Sequence, residues 1–254
     1  MTLVPLIAMV VVSFWQNPHE AFLNHSEPQW SFAAYSELFL QIPVAVYGLN
    51  SLIVASATTL GYTLFAAMAG YALAQLQMRG KSLWLGLILI TLMIPPQVNL
   101  VPLFLLMAKL GWLNSLWALI LPGLFGAYGV FMMRQWFLNF PIALKESAAL
   151  DGCSPWRTFW LIALPTARPA LTSLALYVFI ATWNSFIWPL VATHTEAIRT
   201  LPIGLAALKA SFRDGIDWPL MLAAATCTLL PVVIITLFGQ GAWVRATLGG
   251  SLKE

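Results

Sequence analysis

Few residues of this chain could carry covalent chemistry, and their spacing does not gather them. His19, His25 and His194 are scattered without metal-ligand spacing, and Cys153 and Cys227 form neither a CxxC pair nor a disulfide framework. No HExxH, GxSxG or carboxylate pair falls in an apolar stretch, and no GxxxxGK[ST] phosphate loop occurs anywhere. Metal binding, redox chemistry and catalysis are therefore not expected, and any ATP hydrolysis would belong to another polypeptide. The polar residues that stand out are amides in apolar surroundings. Gln97 and Asn99 follow the paired prolines Pro95-Pro96, and Asn184 follows Trp183 in a stretch that continues to Trp188. Each amide has two readings, an interhelical hydrogen bond or a polar contact on a pathway through the membrane, and both stay open.

The elements that position these residues are legible in the composition. Of 254 residues, 60% are apolar and only 8% charged, against about a quarter charged in a soluble domain. A water-soluble globule is excluded, and the 16 Gly and 16 Pro sit better in membrane helices than in a soluble bundle. The chain reads as an all-α polytopic membrane protein. Its net charge of +3 reflects scarce acids, with no basic stripe to suggest nucleic acid. A hydrocarbon core about 30 Å thick needs about 20 apolar residues of helix. Stretches near 48–74, 83–107, 115–133, 170–192 and 219–243 meet that length without charge. A sixth, 1–15, is short. It lacks the basic start and cleavage site of a signal peptide, and reads as the end of a first span whose beginning is clipped. Pro95-Pro96 should kink or break the helix of 83–107, with Gln97 and Asn99 available to replace lost backbone donors. Ala57 with Gly61, Ala66 with Gly70, and the series Gly123, Gly126 and Gly129 would allow close helix contact.

Six spans put both termini on one side. Arg79, Lys81, Arg134, Lys145, Arg157, Arg168, Arg245 and Lys253 then share that side, against Lys109, Arg199, Lys209 and Arg213 on the other. This two-to-one excess places the termini and the segments near 79 and 140–169 in the cytoplasm. The segments 16–47 and 193–218 are left outside, long enough to meet an extracytoplasmic partner.

The most informative segment is 140–165, which carries the punctuation of two short helices. Pro141 suits a first helical position and Gly152 the left-handed residue that ends a helix. Ser154-Pro155 is an N-cap followed by proline at N1, so a second helix starts at once and should stop near Pro165. Ala148, Ala149 and Leu150 beside Glu146 and Asp151 form a small apolar knob edged with charge, suited to seating in another protein's groove.

This segment resembles a known family. Glu146-Ser147-Ala148, three residues, Gly152, nine residues, then Ile162-Ala163-Leu164-Pro165 looks like the cytoplasmic "EAA" loop of binding-protein-dependent ABC import permeases, with Ser147 in place of the usual first Ala. Leu49-Asn50-Ser51, Met93-Ile94-Pro95-Pro96-Gln97, Arg134-Gln135-Trp136-Phe137, Trp183-Asn184-Ser185-Phe186-Ile187-Trp188-Pro189-Leu190 and Thr200-Leu201-Pro202-Ile203-Gly204-Leu205 resemble the maltose-type carbohydrate-uptake permeases. Together these cover most of the chain after residue 30. Ser185 stands where an acid is frequent and Pro96 where a glycine is frequent, so neither carries the usual interaction.

The resemblance implies a type I ABC importer permease fold of six transmembrane helices, a single permease domain over 1–254 in a bacterial inner membrane. It implies no catalytic residue and no cofactor on this chain, with ATP and Mg held by the partner ATPase. Implied partners are a sister permease (a heterodimer), two ATPase subunits and an extracytoplasmic solute-binding protein. Glu146, Ala148, Ala149, Asp151 and Gly152 would contact the ATPase, supported by Pro141, Ser154, Ile162, Leu164 and Pro165. Gln97, Asn99, Trp183 and Asn184 would be the pathway candidates, since amides bind hydroxyls and indole faces stack on sugar rings. The implied cargo is a sugar or oligosaccharide, with a polyol or glycerol phosphate as the alternative. An ion-coupled secondary carrier is disfavoured because the five clear spans hold no ionisable Asp, Glu, Lys, Arg or His.

Overall fold

The computed structural model describes residues 4–16, 27, 29–211 and 217–248, with side chains described except at 209–211 and 238–248. His19, His25, residues 1–3 of the first expected span, and Arg213 and Lys253 of the charge count lie outside the described residues. Everything regular among the described residues is helical, apart from one isolated bridge between Trp15 and Trp30.

The helices are α1 (Val4–Val12), α2 (Ala33–Gln41), α3 (Val44–Gln75), α4 (Lys81–Thr91), α5 (Leu100–Lys109), α6 (Leu116–Ile120), α7 (Ala127–Leu138), α8 (Ile142–Leu150), α9 (Pro155–Thr166), α10 (Arg168–Trp183), α11 (Ile187–Ala192), α12 (Leu201–Ser211) and α13 (Trp218–Leu248). Among the described residues, only α3 and α13 are single helices long and apolar enough to cross a membrane. α3 has 32 residues, about 48 Å at 1.5 Å per residue, so it overhangs the apolar layer. Its start at Val44, four residues ahead of the expected 48, follows Pro43, whose carbonyl takes the Tyr47 N–H at 3.1 Å.

Three of the other expected spans are bent or interrupted, two of them next to prolines. The helix of 83–107 is broken as expected: α4 and the Pro96–Lys109 segment meet at 88°. Pro95 and Pro96 have no N–H to give to the carbonyls four residues back. The chain closes instead with tight turns, Leu92 N–H to Leu89 O at 3.0 Å, Met93 to Ile90 at 3.0 Å and Ile94 to Thr91 at 3.3 Å. Gln97 and Asn99 do not supply the missing donors as expected. They lie in a 3-10 turn, Pro96–Asn99, that no side chain caps. The span expected at 115–133 runs to Leu138 and bends by 40° between Leu124 and Ala127, where Phe125 and Gly126 are extended. The helix expected over 170–192 ends at Trp183 and resumes only at Ile187. Continuing it would require Pro189 to donate to Ser185 O, which proline cannot do.

The chain divides into two compact units, 1–53 with 114–116 and 184–234, and 54–113 with 117–183 and 235–254. In the first, Leu38, Tyr47, Ala192, Leu201, Leu220 and Ala224 are buried. The core of the second joins Ala66, Ala67 and Tyr71 of α3 to Met133 and Phe137 of α7, Phe159 and Ala163 of α9, and Leu174 and Val178 of α10. Small residues set its spacing. A Cβ added at Gly70 would lie 2.7 Å from Arg134 N and 2.9 Å from the Met133 carbonyl carbon, so α3 and α7 touch backbone to backbone. At Gly129 the backbone N–H donates to Tyr62 Oη at 2.9 Å.

Candidate functional site

Segment 140–165 lies wholly in the second unit, and its turn is built as the residue types dictate. α8 ends at Leu150, and Gly152 adopts the left-handed conformation, φ +71°. Gly152 N–H bonds Ala149 O at 3.0 Å and Cys153 N–H bonds Ala148 O at 2.9 Å, the paired closing bonds of a Schellman motif. Two residues later Ser154 caps α9: its Oγ accepts the Arg157 N–H at 3.3 Å, with Pro155 in the first turn. One helix therefore stops and the next begins within Asp151–Ser154, with no slack between them. One boundary differs from expectation. Pro141 stands just before α8, as its cap, with ψ +124°; a proline there needs no donor of its own. α9 ends at Thr166, next to Pro165 as expected, after a π turn over Phe159–Ala163 that accommodates the missing donor. The chain then turns by 76° into α10.

One face of this helix pair is anchored and the other is free. Thr158, Phe159 and Ala163 are buried, and the half-buried Ile162 and Leu164 pack on the core cluster. Glu146, Ala149, Asp151 and Gly152 are exposed, as are Pro141, Ser154 and Pro165. Leu150 is 89% exposed, and Ile142, Trp156 and Leu161 of the same helix pair are exposed as well. An apolar tip rimmed by carboxylates that join no ion pair among the described residues fits a partner's groove. Ala148, expected at that contact, is only 2% exposed. Its place on α8, four residues ahead of Gly152, turns it toward its own chain.

What the sequence reasoning missed is how α8 is tied to α3. Lys145 Nζ donates to Gln75 O at 3.0 Å, with Gln75 Oε1 at 3.4 Å, and Gln75 Nε2 donates to Phe137 O at 2.5 Å. Lys81 Nζ reaches Ala74 O at 3.3 Å. Rings complete the join: Tyr71 lies 5.2 Å from Phe159 and 5.4 Å from Phe137, and Phe159 lies 6.0 Å from Trp156. The only signal was a 32-residue helix with no basic residue in its last turn, whose terminal carbonyls needed donors from elsewhere.

The four pathway candidates are divided between the two units. Asn184 lines an open cleft of about 470 Å³ in the first unit, with Leu6, Met9, Pro202, Leu205 and Thr228 among its walls. Gln97 and Asn99 are exposed in the second unit. Trp183 is 3% exposed and stacked on Phe179 at 5.9 Å, so its indole face is taken by the core and cannot serve a solute. In the first unit, two motifs identified separately in the sequence prove to be bonded together. Asn50 Nδ2 donates to Ala197 O at 2.8 Å and Arg199 O at 3.0 Å, and Ser51 Oγ accepts the Leu201 N–H at 2.8 Å. Asn114, at φ +57°, accepts the His194 and Thr195 N–H groups through Oδ1. The segment 192–201 is thereby pinned at both ends.

Comparison with known proteins shows the family and the fold. Residues 63–248 match the family model described as "Binding-protein-dependent transport system inner membrane component". An arabinooligosaccharides transport system permease from Halalkalibacterium halodurans is 38% identical over 75% of this chain and 67% of its own. A trehalose/maltose transport system permease from Thermococcus litoralis is 33% identical over 99% of this chain and 91% of its own. An sn-glycerol-3-phosphate transport system permease from Yersinia pestis is 32% identical over 80% and 72%. In structure, a chain of a bacterial ABC transporter that imports the acidic polysaccharide alginate superposes with a TM-score of 0.83, covering 94% of this chain and 90% of that one at 22% identity. That likeness establishes the all-helical ABC importer permease fold. The chain belongs to the family of binding-protein-dependent transport system inner membrane components, and is a multi-pass inner-membrane permease.

Proposed function

We propose that this chain is the non-catalytic permease subunit of an ABC importer, forming half of a pathway for a sugar or oligosaccharide. The observation that carries the reading is the turn at Asp151–Ser154, a rigid exposed tip on an anchored helix pair. Glu146, Ala149, Asp151 and Gly152 present that tip to a separate ATPase, with Leu150 as the apolar anchor. Ala148 supports it from inside, with Pro141, Ser154, Ile162, Leu164 and Pro165. ATP closes two ATPase subunits, the closed pair holds the tips in one spacing, and the helices follow.

Segment 140–165 and both termini are cytoplasmic by the charge count. The pinned segment 192–201 then faces the solute-binding protein on the other side. A sister permease completes the pathway as a heterodimer, and no cofactor is needed on this chain. Carbohydrate cargo is favoured by relatives that handle arabinooligosaccharides and trehalose/maltose. Asn184, on an open cleft with Thr228, is the residue best placed to meet hydroxyls, with Gln97 and Asn99 as further candidates.

The test is a pull-down from detergent extract, wild type beside Glu146→Lys, with co-purified chains identified by mass spectrometry. Wild type should bring an ATPase, a second permease and a binding protein, and Glu146→Lys should lose the ATPase alone. A chain that purifies alone in a monodisperse state would overturn the importer reading. A binding protein specific for glycerol phosphate or a polyol would overturn the cargo.

A further inference from the structure

We propose that Lys145 and Gln75 form a latch through which displacement of the α8–α9 tip reaches α3, making Lys145 a positioning residue for transport. The inference rests on the reading of 140–165 as the ATPase-docking surface and names the route by which that surface moves the membrane helices.

Gln75 is the last residue of α3. Its carbonyl is one of four at a helix end without an intrahelical partner, and carries the partial negative charge of the helix dipole. No basic residue lies in α3's own last turn. The donor comes instead from α8, 70 positions along the chain. Lys145 is three residues before the buried Ala148 and four before the exposed Ala149, so it sits at the border between the anchored and the exposed faces of α8. The latch and the docking tip thus belong to one short rigid helix.

Gln75 does more than receive the ammonium. Its amide Nε2 donates to Phe137 O, near the end of α7. One residue therefore joins the ends of α3 and α7 to α8. A second contact reaches the same turn: Phe159 of α9 meets Tyr71, four residues before Gln75 and so on the same face of α3. Both docking helices grip the last turn of α3, α9 through rings and α8 through a charge-assisted bond directed at a carbonyl. The ring contact is buried and belongs to folding. Lys145 is exposed, and an exposed polar contact contributes little to stability. Its loss should spare assembly and weaken the transmission of movement.

The experiment uses the whole complex in proteoliposomes. ATP hydrolysis is measured with and without the solute-binding protein that co-purifies with wild type, and bound ATPase subunits are counted in parallel. Lys145→Met and Gln75→Leu should each keep the ATPase bound and lower the stimulation of hydrolysis by binding protein, between about twofold and thirtyfold. The double variant should fall no further than the lower single one. Lys145→Arg, which can still donate to the carbonyl, should stay near wild type. Wild-type stimulation in Lys145→Met, additive losses in the double variant, or loss of bound ATPase from Lys145→Met would each overturn the latch. If wild type itself binds no ATPase, the docking reading fails, and the latch with it. Lys145→Arg guards against misfolding: a loss there equal to that of Lys145→Met would refute a role for the donated bond.

Discussion

Gly152 offers a perturbation whose size can be worked out from the backbone alone. Its φ is +71°, and a Cβ added there would meet nothing within 4 Å. Substitution therefore adds no steric clash, and the whole effect is the penalty of holding an L-residue in the left-handed region. That penalty is about 1–2 kcal/mol for alanine and less for asparagine. At about 1.4 kcal/mol per tenfold, Gly152→Ala should weaken ATPase binding by between about fivefold and thirtyfold, with Gly152→Asn between alanine and wild type. Gly152→Pro should abolish binding, because proline cannot adopt a positive φ and cannot give the N–H that bonds Ala149 O. The assay is the Kd of the purified ATPase subunit for the detergent-solubilised permease, with thermal unfolding of the permease followed separately. Membrane insertion and unfolding temperature should hardly change, since the turn is exposed and no core residue moves. Equal Kd for glycine, asparagine and alanine would refute the reasoning. So would a loss of affinity in Gly152→Ala matched by an equal loss of permease stability.

Two further substitutions probe the parts that hold the tip and the segment 192–201. Asn50→Leu removes the donor for Ala197 O and Arg199 O at a site where Asn50 is 7% exposed; a cost of about 1–3 kcal/mol is expected. Limited proteolysis should cut 193–211 faster, with ATPase binding unchanged, and an unaltered cleavage rate would show that the two bonds do not hold the segment. Gly70→Ala would place a methyl group 2.7 Å from Arg134 N, where backbone cannot yield cheaply. It should cost about 1–3 kcal/mol by overpacking, read as a lower unfolding temperature of the solubilised protein, and an unchanged temperature would mean that α3 and α7 do not meet there.

Local signals were the legible ones. Gly152, Ser154 and Pro155 specify a helix end and a helix start through interactions within a few residues, so the turn could be read from sequence alone. The break at Pro95-Pro96 was legible for the same reason: a missing N–H is a property of the residue itself. The helix end at Trp183 was less so, because apolar length suggested a longer span and the obstacle, Pro189, sits six residues further on. Trp183 was misjudged because an indole has the same composition whether it faces a pathway or a core, and only packing against Phe179 separates the two. Ala148 could have been placed by helical period alone, opposite the exposed Glu146 and Leu150. The tie between Lys145 and Gln75 spans 70 positions and leaves no periodicity to detect.

The anchoring explains why so small a surface can act on long helices. A lever loses displacement wherever it can bend. In this chain the two compliant places, the α8–α9 junction and the passage from α9 to α10, are both closed by backbone hydrogen bonds. Cys153 N–H to Ala148 O and Gly152 N–H to Ala149 O close the first; Ala167 N–H to Ala163 O at 3.1 Å and to Leu164 O at 3.2 Å closes the second. Ala163 and Ala167, which form the second joint, are fully buried, so the helix pair can move only with the core it packs on. A push on Leu150 therefore displaces α9 and the start of α10 together, since interiors at native packing density transmit strain and do not absorb it. The end of α3 has no such buried backbone joint to α8, and there a single ammonium at a helix terminus supplies the connection. Removing it leaves the lever rigid but takes away the tie between α8 and α3, so that α3 is held to the helix pair through the Tyr71–Phe159 rings and the core around them.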